Sequence, residues 1–196
     1  GFRADQVTTT GNLKLDMAVP EVDSNQLEHL RSSLGFLDGD FVLLGSSTWP
    51  GEEQALIETL RHLRNNGVAS RLLLVPRHAE RRGEIIPELE RSGFTFHVRS
   101  MGACSGEVDI HLADTTGELR RLTPVADLVF VGKSLPPHGE GQTPIEAAAM
   151  GKPLVFGPVM SNFRIIAREL VEAGAACVVA DGRELLTVVE KLARDV

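Results

Sequence analysis

Cysteine is nearly absent: Cys104 and Cys177 are the two thiols in 196 residues. That excludes a disulfide framework, and neither residue has the neighbours of a zinc site. Cys177 falls in an apolar, strand-like run and reads as a small core residue. Cys104 falls in a Gly/Ser-rich loop, where an exposed thiol is expected. A reducing, cytoplasmic setting fits both. No apolar run approaches the length needed to cross a bilayer, and no signal peptide is visible. No Gly-Lys-Ser/Thr closes a P-loop, and no GxGxxG follows a strand, so nicotinamide and flavin binding lose their main support. A Gly-x-Ser-x-Gly elbow is missing too, which argues against a serine hydrolase. The histidines His62, His78, His97, His111 and His138 are scattered, so no metal site is expected. Basic residues are outnumbered, 20 to 27, for a net charge of -7. With no basic block either, binding to nucleic acid or to an anionic membrane is disfavoured as a whole-surface property, although a local basic pocket is compatible with these numbers.

What is present is the balance of a soluble domain, 42% hydrophobic and 24% charged, in a chain long enough to bury a core without staples. The chain opens at Gly1 without a methionine, as expected of a piece of a longer protein. Residues 1–23 have weak periodicity and read as a connector, and residues 24–196 as one domain. Ser24 is the expected cap of a first helix, with Leu27, Leu30 and Leu34 on one face. Strands are expected at 41–44, 72–75, 94–98, 108–112, 127–131, 154–156 and 177–180. Between them the pattern predicts helices at 51–66, 80–92, 162–173 and 183–194, and a short one ending at Gly151. Glu52 and Glu53 stand in a first turn, where the helix dipole favours acids. Asp181 and Glu184 are spaced as a cap pair. Continuous apolar strands alternating with amphipathic helices argue an α/β, Rossmann-like doubly wound parallel sheet covered on both faces. Such sheets bind ligands at the carboxyl ends of their strands. The loops after Leu44, Val75, Leu112 and Val131 are therefore the ones to inspect.

The strongest local signal is residues 138–146, His-Gly-Glu-Gly-Gln-Thr-Pro-Ile-Glu. Gly139 and Gly141 let backbone approach a ligand, Pro144 suits a first helical position, and a helix N-terminus offers free N–H groups to an anion. Thr143 and Glu146 also have capping-box spacing, so each is either a cap or a ligand contact. Arg77 and His78 follow a strand directly, where a guanidinium suits phosphate or carboxylate; an ordinary surface pair is the alternative. Ser47 lies in a small-residue run, Gly45 to Thr48, that on its own reads first as an ordinary βα turn with a Ser/Thr cap, and otherwise as a turn whose hydroxyls and N–H groups line a sugar or phosphate. Residues 114–119 form either a plain turn or a loop that reaches a nucleotide base. Lys133 and Ser134 follow the fifth strand, and Lys133 sets a positive charge beside the glycine loop.

Together these strings resemble the C-terminal half of 3-deoxy-D-manno-octulosonic acid (Kdo) transferases. The strings are Thr10 to Asp16, Gly45 to Glu53, Val75 to Arg81, Asp114 to Leu119, Val131 to Leu135, Gly141 to Glu146, and Phe156 to Pro158 with Asn162 and Phe163. Seven in order are specific where each alone is weak. The resemblance implies a GT-B glycosyltransferase at the cytoplasmic face of the inner membrane. It would move Kdo from CMP-Kdo to a lipid A precursor in lipopolysaccharide biosynthesis, without a bound metal or other cofactor. This piece itself would be soluble. The donor nucleotide belongs to the C-terminal domain. The acceptor, the general base and the membrane anchor belong to an N-terminal domain outside this chain, so no catalytic base is expected here. By position, Pro76 and Arg77 would border the CMP phosphate or the Kdo carboxylate, and Gly117, Glu118 and Leu119 would frame cytosine. Ser134, Gly141, Gln142 and Thr143 would form the anion cradle, and Glu146 would take the ribose hydroxyls. The chain departs from the family's usual Gly-Gly-His-Asn-Pro string, with Glu140-Gly141-Gln142-Thr143-Pro144 in its place. A UDP-sugar transferase or epimerase-like domain, or a non-catalytic nucleotide-sugar-binding domain, stays open on the residues alone.

Overall fold

The computed structural model describes residues 23–195. The expected connector, residues 1–23, lies outside the described residues except for Asp23, and so does the string Thr10 to Asp16. From Asp23 the chain builds α1 (Ser24–Ser33), β1 (Phe41–Thr48), α2 (Glu52–Asn65), β2 (Ser70–Pro76), α3 (Arg82–Ser92), β3 (Phe96–Val98) and β4 (Ile110–Leu112). It continues with α4 (Leu119–Leu122), β5 (Leu128–Val131), α5 (Ile145–Ala149), β6 (Leu154–Phe156), α6 (Arg164–Glu172), β7 (Ala176–Val178) and α7 (Gly182–Arg194). The strands form one sheet in the order β3-β4-β2-β1-β5-β6-β7. Every pairing is parallel, so each connection must cross over the sheet, most of them through a helix.

The strands read as unbroken apolar runs because both faces are covered. Leu43, Leu72 and Leu74 point into one layer, with Leu56 and Leu60 of α2, Leu89 of α3 and Leu185 of α7. Their neighbours Val42, Leu44, Leu73 and Val75 point to the other, with Leu34, Leu122, Ala147 and Ala167. This alternation is the two-residue period of a pleated strand. Cys177 packs against the first layer and is half-buried. Cys104, expected to be exposed, is half-buried as well, its thiol 3.2 Å from the carbonyl oxygen of Gly106.

Three local expectations need correction. Asp23, not Ser24, caps α1: its carboxylate accepts the Asn25 N–H at 2.9 Å. The run Gly45 to Thr48 is not a turn. It is the end of β1, held by pairing to β2 and β5, and only Ser47 leaves extended geometry, at φ 54°. In the Asp181 cap, the Arg183 and Glu184 amides donate to Asp181 as the spacing predicts, but the Glu184 carboxylate reaches back to the amide of Ala180 rather than Asp181.

From β1 the chain steps outward through β2, then crosses back to lay β5 on the opposite side. The crevice above the carboxyl ends of β1 and β5 is therefore the topological switch point, where open α/β sheets hold their ligands.

Candidate functional site

Buried carboxylates hold the loops that leave this edge of the sheet. Glu52, at the start of α2, is 1% exposed. Its carboxylate accepts the amide N–H of Trp49 at 2.9 Å, of Lys133 at 2.8 Å, of Ser134 at 2.8 Å and of Leu135 at 3.1 Å. Burial pushes its carboxyl above the ordinary 4.5, and the amide donors pull the other way. The turn after β5 is thus an anion nest, but its anion is the protein's own side chain. Lys133 takes φ 58° to close it.

Glu53, equally buried, receives the Thr48 hydroxyl at 2.7 Å and the guanidinium of Arg81 at 2.6 and 3.2 Å. Burial alone would lower the pKa of Arg81, but its bonds to Glu53 outweigh that and raise it. The same guanidinium reaches the carbonyl oxygen of Thr48 at 3.1 Å, which also accepts the Arg77 amide at 3.1 Å. The loop after β2 is thereby clamped to the end of β1.

The loop after β4 has two braces. Asp114 accepts the Ser100 amide at 2.9 Å and the Ser100 hydroxyl at 2.5 Å, with Arg82 at 3.3 Å. Burial pushes its pKa up, but these bonds prevail and hold it below the ordinary value. Glu118 is gripped by Arg99 at 2.5 and 2.7 Å and accepts the Thr115 hydroxyl. Arg99 chiefly keeps the Glu118 pKa low.

Between these loops lies a cleft of about 400 Å³, within the range of small-molecule sites. Eight of the expected residues line it: Ser47, Pro76, Arg77, Gly117, Leu119, Gln142, Thr143 and Glu146. Val75, Ala79, Thr115, Thr116, Arg120 and Phe163 complete it. All of these except Arg120 fall within the strings that carry the family resemblance; Arg120 is marked only by following Leu119 at the loop's exit. A roomier and mostly apolar cavity, about 700 Å³, lies between α1 and residues 117–124. It lacks the strand ends, which in the smaller cleft stand together with Arg77, Gln142, Thr143 and Glu146.

Two groups in the cleft are chemically unspent. Arg77 is exposed. Among the described residues its guanidinium has no hydrogen bond or ion pair, and neither does the half-buried carboxylate of Glu146. A capping role for Glu146 is not realised: α5 begins at Ile145, and the Thr143 hydroxyl accepts the Ile145 amide at 3.3 Å without a reciprocal bond from Glu146.

The other expected residues are not brought into the cleft. Ser134 is fully buried, its amide spent on Glu52 and its hydroxyl donating to Val131 O at 2.6 Å while accepting the Gly157 amide at 2.9 Å. A Cβ on Gly157 would lie 1.8 Å from the Ser134 carbonyl oxygen, so the two strand ends meet there as bare backbone. Gly141 is needed for packing, at φ 70° and with Met160 Sδ 2.4 Å from where a Cβ would be. Its amide donates to Lys133 O at 2.8 Å, and that of Gln142 to Gly132 O at 2.9 Å. Of the four residues expected in the cradle, Gln142 and Thr143 line the cleft, at the head of α5, and Ser134 and Gly141 do not. Lys133 lies 4.2 Å over the Trp49 ring and 3.3 Å from Glu140, which answers the extra acid of this chain's variant string. His78 packs edge-on to Trp49 at 5.6 Å. Glu118 turns away to Arg99 while Gly117 and Leu119 face the cleft. Among the described residues no group of three or more His, Cys, Asp or Glu is placed to hold a metal, and no helix is long and apolar enough to cross a membrane.

No family model matches the chain. It is 37% identical over 190 residues to a 3-deoxy-D-manno-octulosonic acid transferase of Bordetella pertussis, covering 93% of this chain and 43% of that protein. It is 32% identical to the transferase of the same name from Haemophilus influenzae, covering 88% and 40%. The chain thus spans less than half the length of the curated relatives it matches. Among solved structures it is similar to the C-terminal CMP-Kdo binding domain of WaaA from Acinetobacter baumannii, with a TM-score of 0.76 and 28% identity over 87% of this chain and 88% of that one. WaaG, a glycosyltransferase involved in lipopolysaccharide biosynthesis, shares the fold at a TM-score of 0.58 and 20% identity, over 89% of this chain and 43% of that one. The chain accordingly shares the fold of that C-terminal domain, the doubly wound parallel sheet that also forms part of GT-B glycosyltransferases.

Glu52→Ala would leave the amides of residues 133–135 without their acceptor. The expected cost is about 2–4 kcal/mol of stability, at roughly 1 kcal/mol or more per unsatisfied buried donor, read from urea unfolding. A midpoint within error of the wild type would show that the turn is held by other contacts.

Proposed function

The chain is a homologue of 3-deoxy-D-manno-octulosonic acid transferases over nearly its whole length, and we propose that it is their donor-binding domain, holding CMP-Kdo for transfer to a lipid A precursor. The observation that carries this reading is the cleft at the switch point, where an unpaired guanidinium and an unpaired carboxylate face one ligand-sized space. Residues 24–196 form the donor domain on this reading, and the preceding residues connect it to a region that supplies the acceptor site, the general base and the hold on the cytoplasmic face of the inner membrane.

In the transfer, the bond between the anomeric carbon and the phosphate oxygen breaks. The sugar becomes oxocarbenium-like while negative charge gathers on the departing CMP. Arg77, on a loop clamped by Glu53 and Arg81, meets that charge with donors already in place. The head of α5, with Thr143 and Gln142, meets it from the other side. Glu146 accepts the ribose hydroxyls, a task for which two free carboxylate oxygens suffice. Gly117 and Leu119 border the cytosine. Charge on the leaving group is met by protein donors, so the reading asks no metal of this domain. Closure against the rest of the enzyme completes the site.

Calorimetric titration of this chain with CMP and UMP tests the assignment. Weak but CMP-preferring binding is expected. Absence of binding at high protein and ligand concentration would overturn it, and a preference for UMP would point to a UDP-sugar transferase instead.

Arg77→Ala is expected to weaken CMP binding about tenfold or more, the worth of a charge-assisted hydrogen bond, with the melting temperature unchanged. A marked fall in melting temperature would make Arg77 structural. For Glu146→Gln, a comparable loss of CMP affinity on an equally stable protein is expected, since no group among the described residues depends on that carboxylate. Unchanged affinity would remove Glu146 from the ligand.

A further inference from the structure

Behind the wall made by residues 115–118 lies a second cavity of about 560 Å³. Thr115 and Thr116 line both it and the donor cleft, so the two spaces adjoin. Its floor carries His111 of β4, 1% exposed. The Nδ1 atom of this ring lies 3.0 Å from the carbonyl oxygen of Leu34. A carbonyl only accepts, so the proton sits on Nδ1, and Nε2 of the neutral ring is a bare acceptor. Among the described residues no group donates to it, although it is buried. Burial lowers the pKa of His111 to about 4, outweighing the Leu34 bond, so the ring is neutral at physiological pH.

Three donors near the ring are committed elsewhere. Arg99 and the Thr115 hydroxyl both serve Glu118. His97, with its ring centroid 5.2 Å from that of His111, has its own Nε2 3.0 Å from Gly102 O. A buried acceptor without a partner is rare in a folded protein and asks for a donor from outside.

We propose that His111 is a specificity-determining residue for the nucleobase, its Nε2 accepting a hydrogen bond from the exocyclic amino group of a 4-aminopyrimidine that reaches past Thr115 and Thr116. The proposal rests on the donor-binding reading above. A uracil ring carries a carbonyl oxygen at that position, and two acceptors would then face each other without a proton between them. Sites built around one hydrogen-bonding pattern reject the analogue that leaves a buried group unpaired.

The test compares CMP and UMP affinities of this chain with those of His111→Leu, which keeps apolar bulk and removes the acceptor. CMP affinity is expected to fall about three- to tenfold, the range of one neutral hydrogen bond, with UMP affinity unchanged. A CMP-to-UMP ratio equal to the wild type would overturn the assignment. Nitrogen NMR of histidine-labelled wild type gives a second readout should the variant fail to fold. The Nε2 resonance of His111 should move on addition of CMP and not of UMP, and an unmoved signal in CMP-saturated protein also overturns the proposal. A wild-type chain that binds no CMP removes the donor reading and this inference together, whereas CMP binding with an unaltered ratio removes His111 alone.

Discussion

A single carboxylate organises the upper edge of this sheet. Glu52 stands at the amino end of α2 and gathers amide donors from its own turn and from the turn after β5, more than eighty residues along the chain. In doing so it joins the two strands that flank the switch point. The arrangement is costly in isolation, since a buried carboxylate is poorly solvated, but the amides it satisfies would themselves be stranded without it. The nest it occupies is closed to any other anion. On the proposed reading, the donor's phosphate lies further out, towards Arg77 and the head of α5.

The charged groups around the cleft divide into two sets. Glu53 with Arg81, Asp114 with Ser100 and Arg82, and Glu118 with Arg99 are spent on one another and set the positions of the loops. Among the described residues, Arg77 and Glu146 are spent on nothing. Buried pairs of the first kind contribute little net stability, because desolvation offsets the attraction, but breaking one is expensive. Their value here is positional. They leave the second set facing a shaped space without having to order it first.

Much of this was legible in the sequence. A parallel strand buried on both faces has to be apolar throughout, so the sheet and its helices announced themselves. Polar strand ends did not: Gly45 to Thr48 looks like a turn until pairing with β2 and β5 and the Thr48 bond to Glu53 are known. Nor can a string reveal where backbone amides point. Ser134 sits in a loop that reads the same whether it greets a ligand or a distant glutamate. The two arginines of the loop after β2, Arg77 and Arg81, differ by four positions and by everything else, since only one finds a buried acid within reach. Glu146 illustrates the converse, where cap spacing concealed a free carboxylate because the helix begins one residue too late for the box to close.

The braces behind the loop after β4 bear on the time course of binding. Asp114 and Glu118 anchor that wall at two points, from the side away from the cleft. A nucleotide arriving at such a wall has little chain to immobilise, and its association rate should approach that of simple encounter at a preformed patch. Residence time would then be governed by the few bonds to the ligand itself rather than by the reopening of a lid within this domain.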